Sequence, residues 1–275
     1  MSGHPTGIAA GVDVGTECVK AIVLNEAGRT LGRAVLPTRG YFQACAHEAF
    51  MAALDEAQLH AGDLVGVGAT GFGMQCVPQA TRTATESSCH ALGAFHDVGH
   101  AMTLVNIGGR DPHVIKVDDA GRRIGAHGVR GCAVGIGSFM MFAARHLDVS
   151  PTRLDELAST AGSQAAVVSS YCSVFSGTEV LERLREGATR EDVALGCMFS
   201  IAARVFEIGG FEAPVMISGG VAEYFPGVLR ALESLSGLTV TPVPDPIYAG
   251  ARGAALLMFR EPRVSEGSAT SGAAT

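Results

Sequence analysis

The chain has no tryptophan, and aromatic residues make up only 6% of its 275 positions. It therefore lacks the stacking platforms on which single-stranded nucleic acids are bound. Charge is scarce too: 17% of residues carry it, with no run of like sign and a net value of −7. That balance excludes a polybasic groove for nucleic acid or for an anionic membrane surface. No apolar stretch approaches bilayer length, and Met1 to Pro5 has neither the charged start nor the apolar core of a signal peptide. The expectation is a cytoplasmic chain with no nucleic-acid or membrane partner. Thiols stay reduced in that compartment, so the seven cysteines, scattered singly, read as free or metal-bound and not as a disulfide framework.

What the sequence does have is glycine, 36 of it, in a chain that is 47% apolar. Apolar runs at Gly7 to Val14, Ala21 to Leu24 and Thr30 to Leu36 predict an opening meander. Helical spacing follows over Ala46 to His60, then strand over Leu64 to Ala69 and a small-residue helix over Cys89 to Val98. The pattern then restarts with strands at Thr103 to Ile107, Val114 to Val117 and Arg123 to Ala126. Laid over each other, GVDVGTECVKAIVLNEAG and LVNIGGRDPHVIKVDDAG match at an offset of 93 residues, Gly15 falling on Gly108. This points to a duplicated α/β fold. Helices are expected after the Ser150-Pro151 start, from a capping box at Ser176 and Glu179, and from Thr189 with Asp192. A short strand over Pro214 to Ser218 precedes a final helix over Gly253 to Phe259.

Three predicted strands end in glycine turns, at Gly15, at Gly108-Gly109 and at Gly219-Gly220. Such turns let backbone N–H groups face an anion, which an acidic protein needs if it is to hold phosphates without a basic surface. Asp13 stands two residues before the first turn, where a carboxylate can carry Mg²⁺ directly or through water, and Lys20 follows at phosphate reach. Neither a P-loop nor a Rossmann glycine signature occurs at these turns.

The segments GVDVGTECVK, NIGGRD, SGGVAEY and YAGARGAALL resemble the phosphate, adenosine and closing-helix motifs of the actin-like ATPase and sugar kinase superfamily. TESSCHALGA, GCAVGIGSFM and YCSVFSGTEV look like a narrower ATPase family, which includes activators of 2-hydroxyacyl-CoA dehydratases and the ATPase subunits of benzoyl-CoA reductase. The resemblance implies two duplicated actin-like (ribonuclease H-like) domains with a nucleotide cleft between them. The first would span 1–100 plus 248–264 and the second 101–247, with a disordered tail over 265–275. It implies ATP with Mg²⁺ in the cleft, Asp13 and Asp111 as catalytic carboxylates, and Gly15, Thr16, Lys20, Gly108, Gly109, Gly219, Gly220 and Val221 as nucleotide contacts.

Cys132 and Cys172 each precede an expected helix N-terminus, which favours the thiolate. Composition alone reads them as buried core thiols; the resemblance makes them ligands of one 4Fe-4S cluster shared between two subunits, since two thiolates are half of the four it needs. Cys89-His90 and Cys197 read as packed helix, and Cys18, Cys45 and Cys76 have no assigned role. The chain departs from the family pattern at Asn106, where an Asp is usual before the glycine turn; at Arg110-Asp111, in place of Gln-Asp; and at Thr16-Glu17, in place of Ser-Thr. These departures favour one member of an unequal pair, most like the small ATPase subunit of benzoyl-CoA reductase. The implied partners are a second related ATPase subunit, catalytic reductase subunits and a ferredoxin donor. The alternatives are an activator ATPase of a 2-hydroxyacyl-CoA dehydratase, a small-molecule kinase of the same superfamily, and a nucleotide-binding regulator without turnover.

Overall fold

The computed structural model describes residues 7–128, 135–162, 165–168 and 173–260. Two five-stranded sheets dominate it. The first contains β1 (Ile8–Val14), β2 (Cys18–Asn25), β3 (Thr30–Pro37), β4 (Gly66–Thr70) and β5 (Arg82–Thr83), in the order β3-β2-β1-β4-β5. The second contains β6 (Met102–Ile107), β7 (Pro112–Val117), β8 (Arg123–Gly128), β9 (Val215–Ser218) and β10 (Val240–Pro242), in the order β10-β9-β6-β7-β8. Each sheet is an antiparallel three-strand meander whose first strand pairs in parallel with the next crossover strand. The repeat offset of 93 is thus a repeat of topology. It extends to register: Asp13 faces Lys20 across β1 and β2, and the equivalent Asn106 faces His113 across β6 and β7.

The helices are α1 (Phe42–Ala57), α2 (Glu86–Val98), α3 (Gly135–His146), α4 (Leu154–Ser159), α5 (Ser173–Arg185), α6 (Arg190–Ile208), α7 (Gly220–Tyr224), α8 (Pro226–Ser236) and α9 (Ala249–Leu256). Strand alternation sorts their layers. On the first sheet Val12, Val19, Ala21 and Val23 pack under Phe50 and Leu54 of α1, while Ile22 and Leu24 face Ala251 and Ala255 of α9. On β6, Leu104 packs with Ala91 and Ala94 of α2, whereas Val105 and Ile107 join the large core under α3, α6 and α8. Helices α9 and α2 therefore form a shared layer between the sheets, each lying on one sheet and both on each other.

Glycine makes that layer thin. A Cβ on Gly93 or Gly253 would strike the carbonyl oxygen of Ala249 or Cys89, and one on Gly11 or Gly68 would strike the α9 backbone at Ala251 or Ala254. Buried in the same seam, Arg252 pairs with Asp97 at the end of α2, lies 3.5 Å from Asp245 and donates to the Pro244 carbonyl at 3.2 Å. Burial outweighs the Arg252 charge at Asp97, holding its carboxyl above the usual range.

Local signals set an element boundary where a cap is real. The Thr189 hydroxyl accepts from the Asp192 N–H at 3.1 Å and opens α6, whose Val193, Cys197, Ile201 and Val205 are all buried. Elsewhere the boundaries differ from expectation. Helix α5 opens at Ser173, so Ser176 lies inside it, and Pro151 starts a 3₁₀ turn over Pro151–Arg153 ahead of α4 with no side-chain cap from Ser150. Helix α1 begins four residues before the Ala46 expected from spacing, and α9 begins at Ala249, four before Gly253. The expected tail over 265–275 lies outside the described residues.

Because the Gly253 Cβ would land on backbone and not on a side chain that can rotate away, Gly253→Ala should cost about 3 kcal/mol of stability in urea unfolding. Gly62→Ala, in open space at a solvent-facing turn, should stay within about 0.5 kcal/mol of wild type.

Candidate active site

A buried ion pair in the first half is set by a strand register. Opposed on β1 and β2, Asp13 and Lys20 form an ion pair at 3.3 Å, both side chains almost fully buried. Burial pulls the Lys20 pKa down, but the Asp13 charge, with Cys18 and Glu86 beyond it, outweighs burial and leaves the ammonium charged, its pKa above the ordinary lysine value. The hairpin between them closes with the Gly15 N–H donating to the Cys18 carbonyl at 3.1 Å. Over Asp13 lies Gly71 at φ +86°, where any side chain would run into the Asp13 Oδ1.

The second half meets this pair with neutral groups. Asn106 is the penultimate residue of β6, and its Nδ2 donates to the Glu86 Oε1 at 2.9 Å. Ser218, the register neighbour of Asn106 on β9, is hydrogen-bonded through Oγ to the His90 Nδ1 at 3.0 Å. Glu86 and His90 lie one turn apart on α2, so a single helix face touches the ends of two adjacent strands. Burial lowers the His90 pKa and keeps the ring neutral; its Nε2 looks across Gly250 beside the Asp13 Oδ2. Gly219, at φ +97°, lies so close under the Ile107 carbonyl and the Asn106 Oδ1 that no side chain fits there.

These elements wall one cleft. Asp13, Gly15, Thr16, Lys20, Gly108, Gly109, Asp111, Gly219 and Gly220 all line it. Val221 lines an adjoining chamber of about 440 Å³, which shares the same glycine turns and is walled by Met140, Met141, Tyr224 and Phe225. All ten non-cysteine positions singled out in the sequence are thus brought together. Cys132 and Cys172 lie outside the described residues. Of the other cysteines, burial pushes the Cys89 and Cys197 thiols up to about 12, which leaves them protonated and poor ligands. Among the described residues no group of three or more His, Cys, Asp or Glu side chains is placed to hold a metal ion.

Glu86, His90, His113, Phe72 and Arg110 also line the cleft, and the sequence gives none of them a site role. His113 is the one within reach, because the 93-residue offset makes it the counterpart of Lys20. His90 packs within its helix, as the sequence suggests, and also faces the cleft. Arg110 pairs with Asp111 at 2.9 Å and stacks its guanidinium 5.0 Å from the Phe72 ring centroid, across from the other half. Glu17 reaches over as well, its side chain lying where Cβ atoms on Gly109 and Gly137 would be. The second glycine turn is in turn tied to α3: the Gly137 N–H donates to the Gly109 carbonyl at 2.8 Å and the Ile136 N–H to the Arg110 carbonyl at 3.3 Å.

A buried ammonium, an arginine and three glycine turns suit a polyanion, and Asp13 and Asp111 supply oxygens that can hold a hard divalent cation beside it. The paired sheets and this cleft define the two-domain nucleotide-binding fold of actin-like ATPases and sugar kinases; a ROK family glucokinase from Streptomyces griseus shares that fold alone, at 16% identity and a TM-score of 0.57. Residues 10–258 match the model of the BadF/BadG/BcrA/BcrD ATPase family, and the chain belongs to that family. It is 34% identical to the activator of lactoyl-CoA dehydratase of Anaerotignum propionicum, over 90% of this chain and 96% of that one. It is 31% identical to a benzoyl-CoA reductase subunit of Thauera aromatica, over 90% of this chain and 92% of that one. The solved activator of the 2-hydroxyisocaproyl-CoA dehydratase from Clostridium difficile, with bound ADPNP, superposes with a TM-score of 0.83 at 28% identity, covering 92% of this chain and 94% of that one. No helix among the described residues is long and apolar enough to cross a membrane.

Removing one partner of a buried ion pair strands the other. Lys20→Met should therefore lower the unfolding free energy by about 3 kcal/mol, and Asp13→Asn added to it should recover much of that loss in the same denaturant titration.

Proposed function

We propose that this chain is an ATP-hydrolysing subunit that energises a partner enzyme acting on a CoA thioester. The observation that carries the reading is the convergence of the Asp13–Lys20 pair and all three glycine turns on one cleft, in a member of an ATPase family. The ADPNP held by the Clostridium difficile relative supports ATP as the occupant. In this reading the triphosphate lies on the Gly15, Gly108-Gly109 and Gly219-Gly220 turns with Lys20 against it, Thr16 flanks it, and Val221 borders the nucleoside chamber. Asp13 and Asp111 hold Mg²⁺, which neutralises phosphate charge. The halves that close on the nucleotide are 1–100 with 248–264, and 101–247.

Turnover is proposed to be read out through α3. Its first N–H groups hang on the Gly109 and Arg110 carbonyls, so movement of that turn moves the helix. Gly135, at φ +73°, packs against the same turn. Cys132 is three residues upstream in the chain, Cys172 directly precedes α5, and α3 packs on α5 through Phe142 against Gly177. That arrangement supports the two cysteines as half of a 4Fe-4S site completed by a second subunit, either another copy or a related chain. Such a cluster would supply one-electron transfer from a ferredoxin-type donor to the catalytic subunits.

For the partner's substrate, the relatives named as dehydratase activators favour a 2-hydroxyacyl-CoA dehydratase, with this chain as its activator. Benzoyl-CoA reductase is the second reading, favoured by the Thauera aromatica relative and by Asn106 where the family pattern has Asp. Both use the same cleft.

Purified without oxygen, the chain with its partner should hydrolyse ATP and carry about four irons per two ATPase subunits, the number in one cluster. Cys132→Ala should abolish the iron and leave ATP binding intact; unchanged iron content would remove the cluster assignment, and absence of ATP binding by the wild-type chain would remove the whole reading. Reduction of benzoyl-CoA against dehydration of a 2-hydroxyacyl-CoA, each assayed with the cognate catalytic subunits, separates the two partners.

A further inference from the structure

Lys20 and Arg110 line the cleft from opposite halves, and only Lys20 is locked in place: it is buried on Asp13, whereas the Arg110 side chain is half exposed. We propose that Arg110 is a catalytic residue of ATP hydrolysis, whose guanidinium turns from the Phe72 ring onto the γ-phosphate and stabilises the charge that develops there during transfer. The inference rests on the reading of the cleft as an ATP site.

Arg110 directly follows the Gly108-Gly109 turn, so its side chain leaves the backbone beside the turn that suits a phosphate. Its tether is light. The Nε donates to the neighbouring Asp111 carboxylate at 2.9 Å, and among the described residues the guanidinium makes no other hydrogen bond. The N–H groups of its two terminal nitrogens are therefore left for a ligand, in the planar fork that matches phosphate oxygens. Its second contact is the stack 5.0 Å from the ring centroid of Phe72, itself 58% exposed. An exposed stack of this kind is weaker than a charge-assisted hydrogen bond to a phosphate oxygen, so a triphosphate wins the guanidinium from the ring. Phe72 belongs to the first half and follows Gly71, which lies over Asp13, so the same turn of the side chain releases a contact between the halves. The Arg110 carbonyl meanwhile accepts from the Ile136 N–H at 3.3 Å, which joins the residue that meets the phosphate to the start of α3.

The charge of the lining agrees. Asn106 stands where the family pattern has a carboxylate and Arg110 where it has a neutral glutamine, so both changes move this lining toward positive. Glu17 in place of threonine adds a carboxylate, but to the wall of the adjoining chamber and not to this lining. Part of the phosphate charge is thereby met by a directional cation of the chain itself. In the step, the water oxygen bonds to the γ-phosphorus, the bond from that phosphorus to the β–γ bridging oxygen breaks with its electron pair leaving on ADP, and one water proton passes to solvent. The guanidinium gains and loses no proton. It donates to the oxygens of the phosphoryl group in transfer, where the charge of the transition state is spread, and so favours that state over bound ATP.

The test uses the full chain with its partner. Arg110→Gln should lower kcat about 100-fold and weaken ADPNP about tenfold, while the affinity for ADP changes by less than about threefold, because only the γ-phosphate contact is lost. ADP with aluminium fluoride, which mimics the phosphoryl group in transfer, should bind the wild type and fail to bind Arg110→Gln at the same concentration. Arg110→Lys keeps the charge without the fork, should retain less than about a tenth of the wild-type kcat, and serves if the glutamine variant folds poorly. Phe72→Ala removes the competing ring and should tighten ADPNP about threefold. Hydrolysis by Arg110→Gln within about threefold of wild type overturns the proposal. So does an equal loss of ADP and ADPNP affinity, which would make Arg110 a general phosphate anchor, or weaker ADPNP binding by Phe72→Ala, which would make the ring a ligand contact. A wild-type chain that binds neither nucleotide defeats the ATP reading instead.

Discussion

The close crossing of α2 and α9 between the two sheets is the constraint from which the rest of the molecule follows. Four glycines, at 11, 68, 93 and 253, remove every side chain that would hold these backbones apart. Their bare backbone brings α9 against the first sheet and α2 against α9, so that one thin double layer serves both cores. A wider layer would carry the ends of β1 and β6 apart, and the turns that follow them could not share a cleft. Arg252, buried with Asp97 and beside Asp245, pins the same crossing where the chain returns from β10, so the seam is fixed by charge at one end and by close backbone contact along its length.

On that frame the internal repeat is symmetric in backbone and asymmetric in charge. The first copy places an ion pair, Asp13 with Lys20, at the strand ends; the second places an amide and an imidazole, Asn106 with His113, at the equivalent register. Symmetric strands thus present an ion pair on one side and an amide with an imidazole on the other. Helix α2 spans the difference, since Glu86 and His90 meet Asn106 and Ser218 while His90 also faces Asp13 across Gly250. A polyanion entering such a cleft meets counter-charge from Lys20 on one side and from Arg110 on the other, with the amide between.

Much of this is legible in the sequence because it is written in short-range features. Glycine at a strand end marks a turn, and a repeat at fixed offset marks a duplicated topology; both survive without knowledge of tertiary contacts. The Thr189 cap is equally local. What escapes depends on packing at a distance. Glu86 stands in a helix start that looks solvated, and only the approach of β6, 20 residues on, gives it a partner. Helices α7 and α8 carry no expectation from spacing, yet their Val221, Val228 and Leu232 are buried in the large core. Ser176 offers a capping spacing, but α5 has already begun at Ser173, so the local signal loses to the tertiary environment.

The two hydrogen bonds that hang α3 on the Gly109 and Arg110 carbonyls also bound how strongly the cleft can act at a distance. At about 1 kcal/mol net for each, making or breaking both transmits about 2 kcal/mol. If the proposed one-electron carrier is coupled to that link, the same energy would be a change in reduction potential on the order of 0.1 V. On the proposed reading, a larger boost per nucleotide would have to come from relocating the carrier relative to its acceptor, and not from tension in this link alone.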